Sequence, residues 1–248
     1  MIDLHAHLLP GVDDGAASLE EALELCRLAA DDGCTALVAT PHRRRDEWPD
    51  LPAAELAARL AEVEAAAGGR PRLLLGGEVR VDSDLLGDLA LPDGGGALPL
   101  AGSRYLLLEL EPRGLGPDPP ALVAELVAGG WRPIVAHPEL TPCLVREPAA
   151  LDRLAAAGAL FQITAMSVTG EFGRATRDRA LGLIESGRAH FVASDAHRAG
   201  WRPTGLARAR SEISRRWGAG RAAALTEHHP RAVLEDAPLP AAVAGELA

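Results

Sequence analysis

The sequence predicts an α/β barrel, closed or distorted, built from about seven parallel strands in a single domain. Three observations predict it. Short apolar runs alternate with longer amphipathic segments along the chain. Nearly every pair of runs is separated by a helix-length segment, which a parallel pairing needs for its crossover. The chain of 248 residues shows no linker or internal repeat and is long enough for one such barrel.

The elements follow in order. Residues 2–7 read as a strand and 18–32 as a helix. Ser18 stands as the N-cap with Glu21 three residues on, the spacing of a capping box. Leu19, Ala22, Leu25, Cys26 and Ala29 then recur on one helical face, and Gly33 ends the helix. A strand over 35–39 precedes an alanine-rich helix over 53–67, which leads to strands at 72–75 and 105–110. Helix 119–128 leads to strand 133–136, helix 148–157 to strand 160–163, and helix 174–186 to strand 190–193. Helices near 205–217 and 219–227 follow. The domain is expected to span 1–236, with an Ala/Pro-rich tail at 237–248, and the Gly/Pro-rich stretch 91–102 is expected to form a mobile lip.

A formal charge of -10 argues against a nucleic-acid surface, because binding phosphate backbones needs a basic face. It leaves room for a small phosphorylated substrate, since bound cations invert the local field. Three cysteines, Cys26, Cys34 and Cys143, have no framework spacing, which fits a reducing compartment. The N-terminal MIDLHAHLLPGVDDGA lacks the apolar stretch of a signal peptide, and no apolar run reaches membrane-spanning length. A soluble cytoplasmic protein is expected.

The chemistry sits at the strand ends. His5 and His7 are two apart on the first strand, so both side chains leave one face. Asp195 and His197 repeat that spacing in SDAH. His42 closes ATPH, His137 lies in VAHP, Glu78 ends GGE, and Glu109 ends the strand at 105–110. A lone histidine in such a place is usually a hydrogen-bonded bystander. In a parallel barrel, however, strand C-termini converge on one mouth, and so many independent strand ends offering His, Asp or Glu point to a metal cluster. Imidazole and carboxylate donors suit Mn, Fe, Co or Zn, and their number exceeds the needs of one ion. Sites with several ions typically split phosphate esters. Asp13 and Asp14 follow in VDDG; one is expected to form the turn before Gly15 and the other to reach the metals. Arg202 is a candidate phosphate contact. Arg43, Arg44 and Arg45 form either a basic lip or a solvated turn. A cysteine-phosphatase loop is excluded by spacing, because its arginine would fall at Asp32, Thr40 or Ala149.

On the segments LHAH, ATPH, GGE, VAHP and SDAH the chain resembles the polymerase and histidinol phosphatase (PHP) superfamily. Within it, the IDLHAHLLPGVDDGAAS opening, HRRR, SRYLLLEL, QITAMSVTGEFG and SDAHRAGWRP resemble the manganese-dependent bacterial protein-tyrosine phosphatases of capsule and exopolysaccharide clusters. The resemblance runs from Met1 to about Asp236. It implies a distorted (β/α)7 barrel and three divalent ions, manganese first, with a metal-activated hydroxide acting on phosphotyrosine. The implied ligands are His5, His7, Asp14, His42, Glu78, Glu109, His137, Asp195 and His197, with Arg202 on the phosphate. The implied partner is a bacterial tyrosine kinase with a phosphorylated tail that controls polysaccharide export. One position departs from the pattern. The family often carries arginine where Leu140 stands, so Arg43 or another residue is expected to replace it, or substrate preference differs. The alternative substrate is a small phosphomonoester such as histidinol phosphate. A nuclease or proofreading module and a non-catalytic regulator are rival classes, disfavoured by the charge and by the complete ligand set.

Overall fold

The computed structural model describes residues 1–91, 96–110 and 118–240. Nine short strands appear in it: β1 (Ile2–Ala6), β2 (Ala36–Ala39), β3 (His42–Arg43), β4 (Arg72–Leu75), β5 (Glu78–Arg80), β6 (Tyr105–Glu109), β7 (Arg132–Ala136), β8 (Leu160–Thr164) and β9 (Phe191–Ala193). All pairings are parallel. β1 pairs with β2 and β2 with β4, while β3, β5, β6, β7, β8 and β9 pair in that order. Two staves are each broken in the middle. Thr40–Pro41 separates β2 from β3, and Gly76–Gly77 separates β4 from β5, yet the partners on either side are the same. Nine strands therefore make seven staves. The ring closes between β9 and β1, where Asp195 N donates to His5 O at 2.8 Å and His7 N donates to Ala196 O at 2.7 Å.

Side-chain alternation sorts the staves into an inner and an outer layer. Leu4, Val38, Leu107, Ile134 and Phe191, from five different staves, form one buried cluster that fills the barrel. Their outward neighbours Leu37, Ile163 and Val192 pack against the helices instead. α1 (Leu19–Asp31) presents Ala22, Leu25, Cys26 and Ala29 to that outer layer, as the sequence pattern requires. Its cap differs in one detail from a standard capping box: Ser18 Oγ accepts from Glu21 N, but the Glu21 carboxylate accepts from Ala17 N at 2.9 Å rather than from the cap residue.

The other helices match the expected segments closely: α2 (Ala53–Ala66), α4 (Pro119–Ala128), α6 (Ala149–Ala156) and α8 (Arg174–Glu185). Short helices α3 (Leu85–Leu89), α5 (Pro142–Arg146) and α7 (Ala165–Thr169) were too brief to show a period in the sequence. α9 (Leu206–Ala223) kinks at Gly218 (φ 89°), passes into a π-helical turn, and is followed by α10 (His229–Leu234). Of the expected lip at 91–102, residues 92–95 lie outside the described residues. Leu98 and Leu100 pack against the core clusters, so residues 98–100 are anchored rather than free. Of the expected tail, 241–248 lies outside the described residues. Among the described residues no helix is long and apolar enough to cross a membrane.

Candidate metal centre

The first ligand pair depends on an irregularity in β1. Ile2 pairs with Ala36 and Asp3 with Leu37, but Ala6 pairs with Ala39, so β1 carries one extra residue between Asp3 and Ala6. Such a bulge reverses the alternation. Ile2 and Leu4 face the barrel interior before it, and Ala6 joins the outer layer after it. His5 and His7 are thereby turned inward at the C-terminal mouth. Gly15 lets the following loop lie directly on this strand. A Cβ there would sit 1.9 Å from His7 O, which instead accepts from Ala16 N at 3.0 Å.

All nine residues expected as ligands converge at this mouth. Their donor atoms fall into overlapping groups: His7, Asp14, His42 and His197; His5, His137 and Asp195; His5, His7 and Glu78; and His42, Glu78 and Glu109. Glu78 is the hub. Its carboxylate lies 2.7 Å from His137 Nε2, 2.9 Å from His42 Nδ1, 3.5 Å from His7 Nε2 and 3.6 Å from His5 Nε2. His137 (φ 34°) and Asp195 (φ 54°) both sit in the left-handed backbone region that non-glycine residues avoid, a strain that functional sites commonly hold.

Several features fit this donor set to divalent cations. His7 Nδ1 donates to Asp13 Oδ2 at 2.7 Å and His5 Nδ1 to Gln162 Oε1 at 2.9 Å, so each neutral ring keeps its lone pair on Nε2. Those two Nε2 atoms are 3.1 Å apart, and their lone pairs repel unless a proton or a metal ion lies between them. His197 Nδ1 is likewise committed, to Asp195 O at 3.0 Å. Asp14 Oδ1 and His42 Nδ1 are buried in ion-pair contact, with His42 Nε2 at 3.4 Å and Glu78 Oε2 at 2.9 Å respectively, but without a well-aligned hydrogen bond.

The electrostatics agree. Burial, reinforced by the neighbouring His197 and opposed by Asp13, lowers His7 to about 4, so it is a neutral imidazole near pH 7. Burial would also lower His42, but the Glu78 carboxylate and the bond to Asp14 outweigh it and push it up to about 11. Glu78 is held well below the usual range against burial by His5 and His42, whereas burial and the Glu78 charge raise Glu109. A carboxylate cluster that competes this strongly for cationic partners is the environment divalent ions prefer.

Beside the ligands lies a cavity of about 280 Å³ whose wall includes Arg45, Arg202, Leu110, Leu140, Thr141 and Pro142. Arg202 is paired with Asp195 through Nη2, and its guanidinium stacks over Phe172 and Trp201. Arg45 Nε donates to Glu109 Oε2 at 2.8 Å.

The expectation for Arg43 is corrected. His42 and Arg43 are successive residues of β3, so their side chains leave opposite faces. Arg43 is buried away from the cavity, with Nε donating to Gly96 O and Nη1 to Leu51 O, both at 2.9 Å. It ties the stretch around Gly96 to the barrel. The cavity cation from this segment is Arg45: β3 ends at Arg43, and the left-handed backbone of Arg44 (φ 62°) breaks the alternation and returns Arg45 to the His42 side.

Asp13 also does more than form a turn. Besides His7 it accepts from His42 N at 3.0 Å and Gly15 N at 3.0 Å, joining two ligand loops. Gln162, which orients His5, was missed by sequence reasoning. Its signal was a polar residue at an inward-facing position of an otherwise apolar strand.

A family model described as capsular polysaccharide synthesis, CpsB/CapC, matches residues 1–235. The chain belongs to the CpsB/CapC family. It is 34% identical to the tyrosine-protein phosphatase YwqE of Bacillus subtilis (strain 168) over 199 residues, 79% of this chain and 77% of that protein. It is 29% identical to the tyrosine-protein phosphatase CpsB of Streptococcus agalactiae over 245 residues, 95% of this chain and 99% of the relative. A crystal structure from work on YwqE of Bacillus subtilis and CpsB of Streptococcus pneumoniae, described as unique metal-dependent tyrosine phosphatases, superposes with a TM-score of 0.89. It is 31% identical, with 97% of this chain and 96% of that one covered. A mutant organophosphorus hydrolase from Deinococcus radiodurans shares the barrel alone, at 17% identity and a TM-score of 0.57 over 94% of this CpsB/CapC chain and 92% of its own.

Proposed function

We propose that this CpsB/CapC protein is a metal-dependent phosphomonoesterase that hydrolyses phosphotyrosine on proteins. The observation that carries the reading is the convergence of nine imidazole and carboxylate side chains beside a cavity walled by two arginines. The likeness to metal-dependent tyrosine phosphatases over nearly the whole chain supports it.

His5, His7, Asp14, His42, Glu78, Glu109, His137, Asp195 and His197 would hold the ions, three by the family resemblance, with manganese favoured. Bound there, such ions supply a hydroxide nucleophile at neutral pH and neutralise phosphoryl oxygens. The chain's own residues do the rest. Asp13 and Gln162 hold His7 and His5 in the tautomer that presents Nε2. Arg202 and Arg45, held at the wall by Asp195 and Glu109, bind the non-bridging phosphate oxygens, Arg45 filling the role left open by apolar Leu140. Leu110, Leu140 and Pro142 form an apolar wall that suits an aromatic ring better than a polar alcohol. Tyrosine phenolate, with a pKa of about 10, leaves without strong demand for a general acid.

The family's link to capsular polysaccharide synthesis supports a tyrosine kinase of polysaccharide export as the substrate protein. The test compares turnover of a phosphotyrosine peptide and of histidinol phosphate, with manganese and after dialysis against chelator. Manganese-dependent hydrolysis of the peptide is expected. Preference for histidinol phosphate would overturn the substrate, and full activity in chelator would overturn the chemistry.

A further inference from the structure

The opposite end of the barrel holds a larger cavity, of about 690 Å³, bounded by the N-terminal ends of β6, β7 and β8, by the approach to β9, and by residues 238–240. That volume matches a small-molecule site. Two features of its wall point to one class of ligand. The first is charge. In a chain of net charge -10, the described residues lining this cavity include two arginines, Arg132 and Arg221, with the imidazoles of His190, His228 and His229 as polar partners, and no carboxylate. The second is the state of Arg221. It is only 9% exposed, its Nε has no hydrogen-bond partner, and Nη1 makes a long 3.4 Å bond to Ile184 O. A buried guanidinium left this poorly satisfied favours an anion.

His190 adds a donor. Its Nδ1 accepts from Phe161 N at 3.1 Å, which leaves the proton of the neutral ring on Nε2. The rest of the wall is apolar, with Leu160, Ile184 and Leu225 beside the cations. Arg132 is already neutralised by Asp236 at 3.1 Å, which makes Arg221 the principal anchor.

We propose that this cavity is a second binding site, separate from the metal centre, for an amphiphilic anion: an apolar chain or ring system ending in a carboxylate or phosphate. The apolar body would lie on Leu160 and Leu225 with the headgroup on Arg221.

Trp131 lines the cavity and Trp217 stacks near Arg221, so tryptophan fluorescence reports occupancy. Full-length protein is titrated with dodecanoate, dodecyl phosphate and dodecanol at monomeric concentrations, with calorimetry for stoichiometry. Saturable binding of at least one anion, one per chain and at least about tenfold tighter than dodecanol, is expected; such a ratio is about 1.4 kcal/mol. The tighter of the two anions identifies the headgroup. Arg221→Met should abolish that preference while metal-dependent turnover persists, and Arg221→Lys should retain it in part. Equal binding of dodecanol, the absence of saturation with either anion, or an undiminished preference in Arg221→Met would overturn the site. If Arg221→Met does not fold, the comparison of dodecanoate, dodecyl phosphate and dodecanol on the unaltered chain still decides.

Discussion

Asp13 Oδ2 accepts the Nδ1 proton of His7 at 2.7 Å while also accepting from the backbone of His42. One carboxylate that is not itself in any ligand group therefore sets the tautomer of one ligand and the position of another. Asp13→Asn offers an amide in its place and allows His7 to present the wrong nitrogen. Manganese affinity is expected to fall about 10–100-fold, the usual cost of losing an orienting carboxylate. Metal titration by calorimetry measures this directly, and unchanged affinity would refute the role.

Glu78 reaches four of the five ligand histidines. Glu78→Gln keeps the shape but removes the shared charge. Loss of bound metal and a drop in turnover of more than about 100-fold are expected, beyond what an orienting residue costs. Metal content by mass spectrometry, read beside folding by circular dichroism, separates ligand loss from unfolding.

Arg43 and Arg45 of HRRR should behave oppositely. Arg45→Ala removes a cavity cation and is expected to raise KM for a phosphotyrosine peptide roughly 10-fold or more, as the loss of a charge-assisted contact does. Adding Leu140→Arg to that variant should restore part of the loss. Arg43→Ala should leave kcat/KM within about twofold but cost about 1–3 kcal/mol of stability, because two backbone carbonyls lose a buried donor. Steady-state kinetics and denaturant unfolding of the three variants test the assignment together.

His190 gives a pH signature away from the metals. Burial and the neighbouring His229 lower it to about 4, against 6.5 for a free imidazole. Between those values the unfolded chain binds the proton and the folded chain does not, so stability rises with pH across the window and is lost as pH falls from 6.5 towards 4. The contribution amounts to about 2–3 kcal/mol by pH ~4.5. In denaturant titrations His190→Gln should show a shallower fall over that range. Parallel curves for the two proteins would count against it.

Local pattern sufficed for much of this. The helical periods of α1, α4 and α8, the apolar strands and the His-x-His and Asp-x-His spacings are all properties of a few consecutive residues. The rule that parallel strand ends share a mouth then gathered eight donors before any coordinates, and the family resemblance chose Asp14 over Asp13 as the ninth. Distant pairing decided the rest. Strict alternation from Ile2 and Leu4 would have sent His5 and His7 outward; the bulge against β2 turned them in. Arg43 and Arg45 are equivalent as text, and only the end of β3 at Arg43 with the left-handed turn at Arg44 decides which one enters the cavity. Asp13 and Gln162 became orienting groups because loops and strands remote in sequence brought them to His7 and His5. The cavity beneath the barrel assembles the cations Arg132 and Arg221 and the neutral ring of His190 from segments separated by dozens of residues. Periodicity reports which side chains share a face of one element. Which faces meet depends on contacts whose partners the chain does not place side by side.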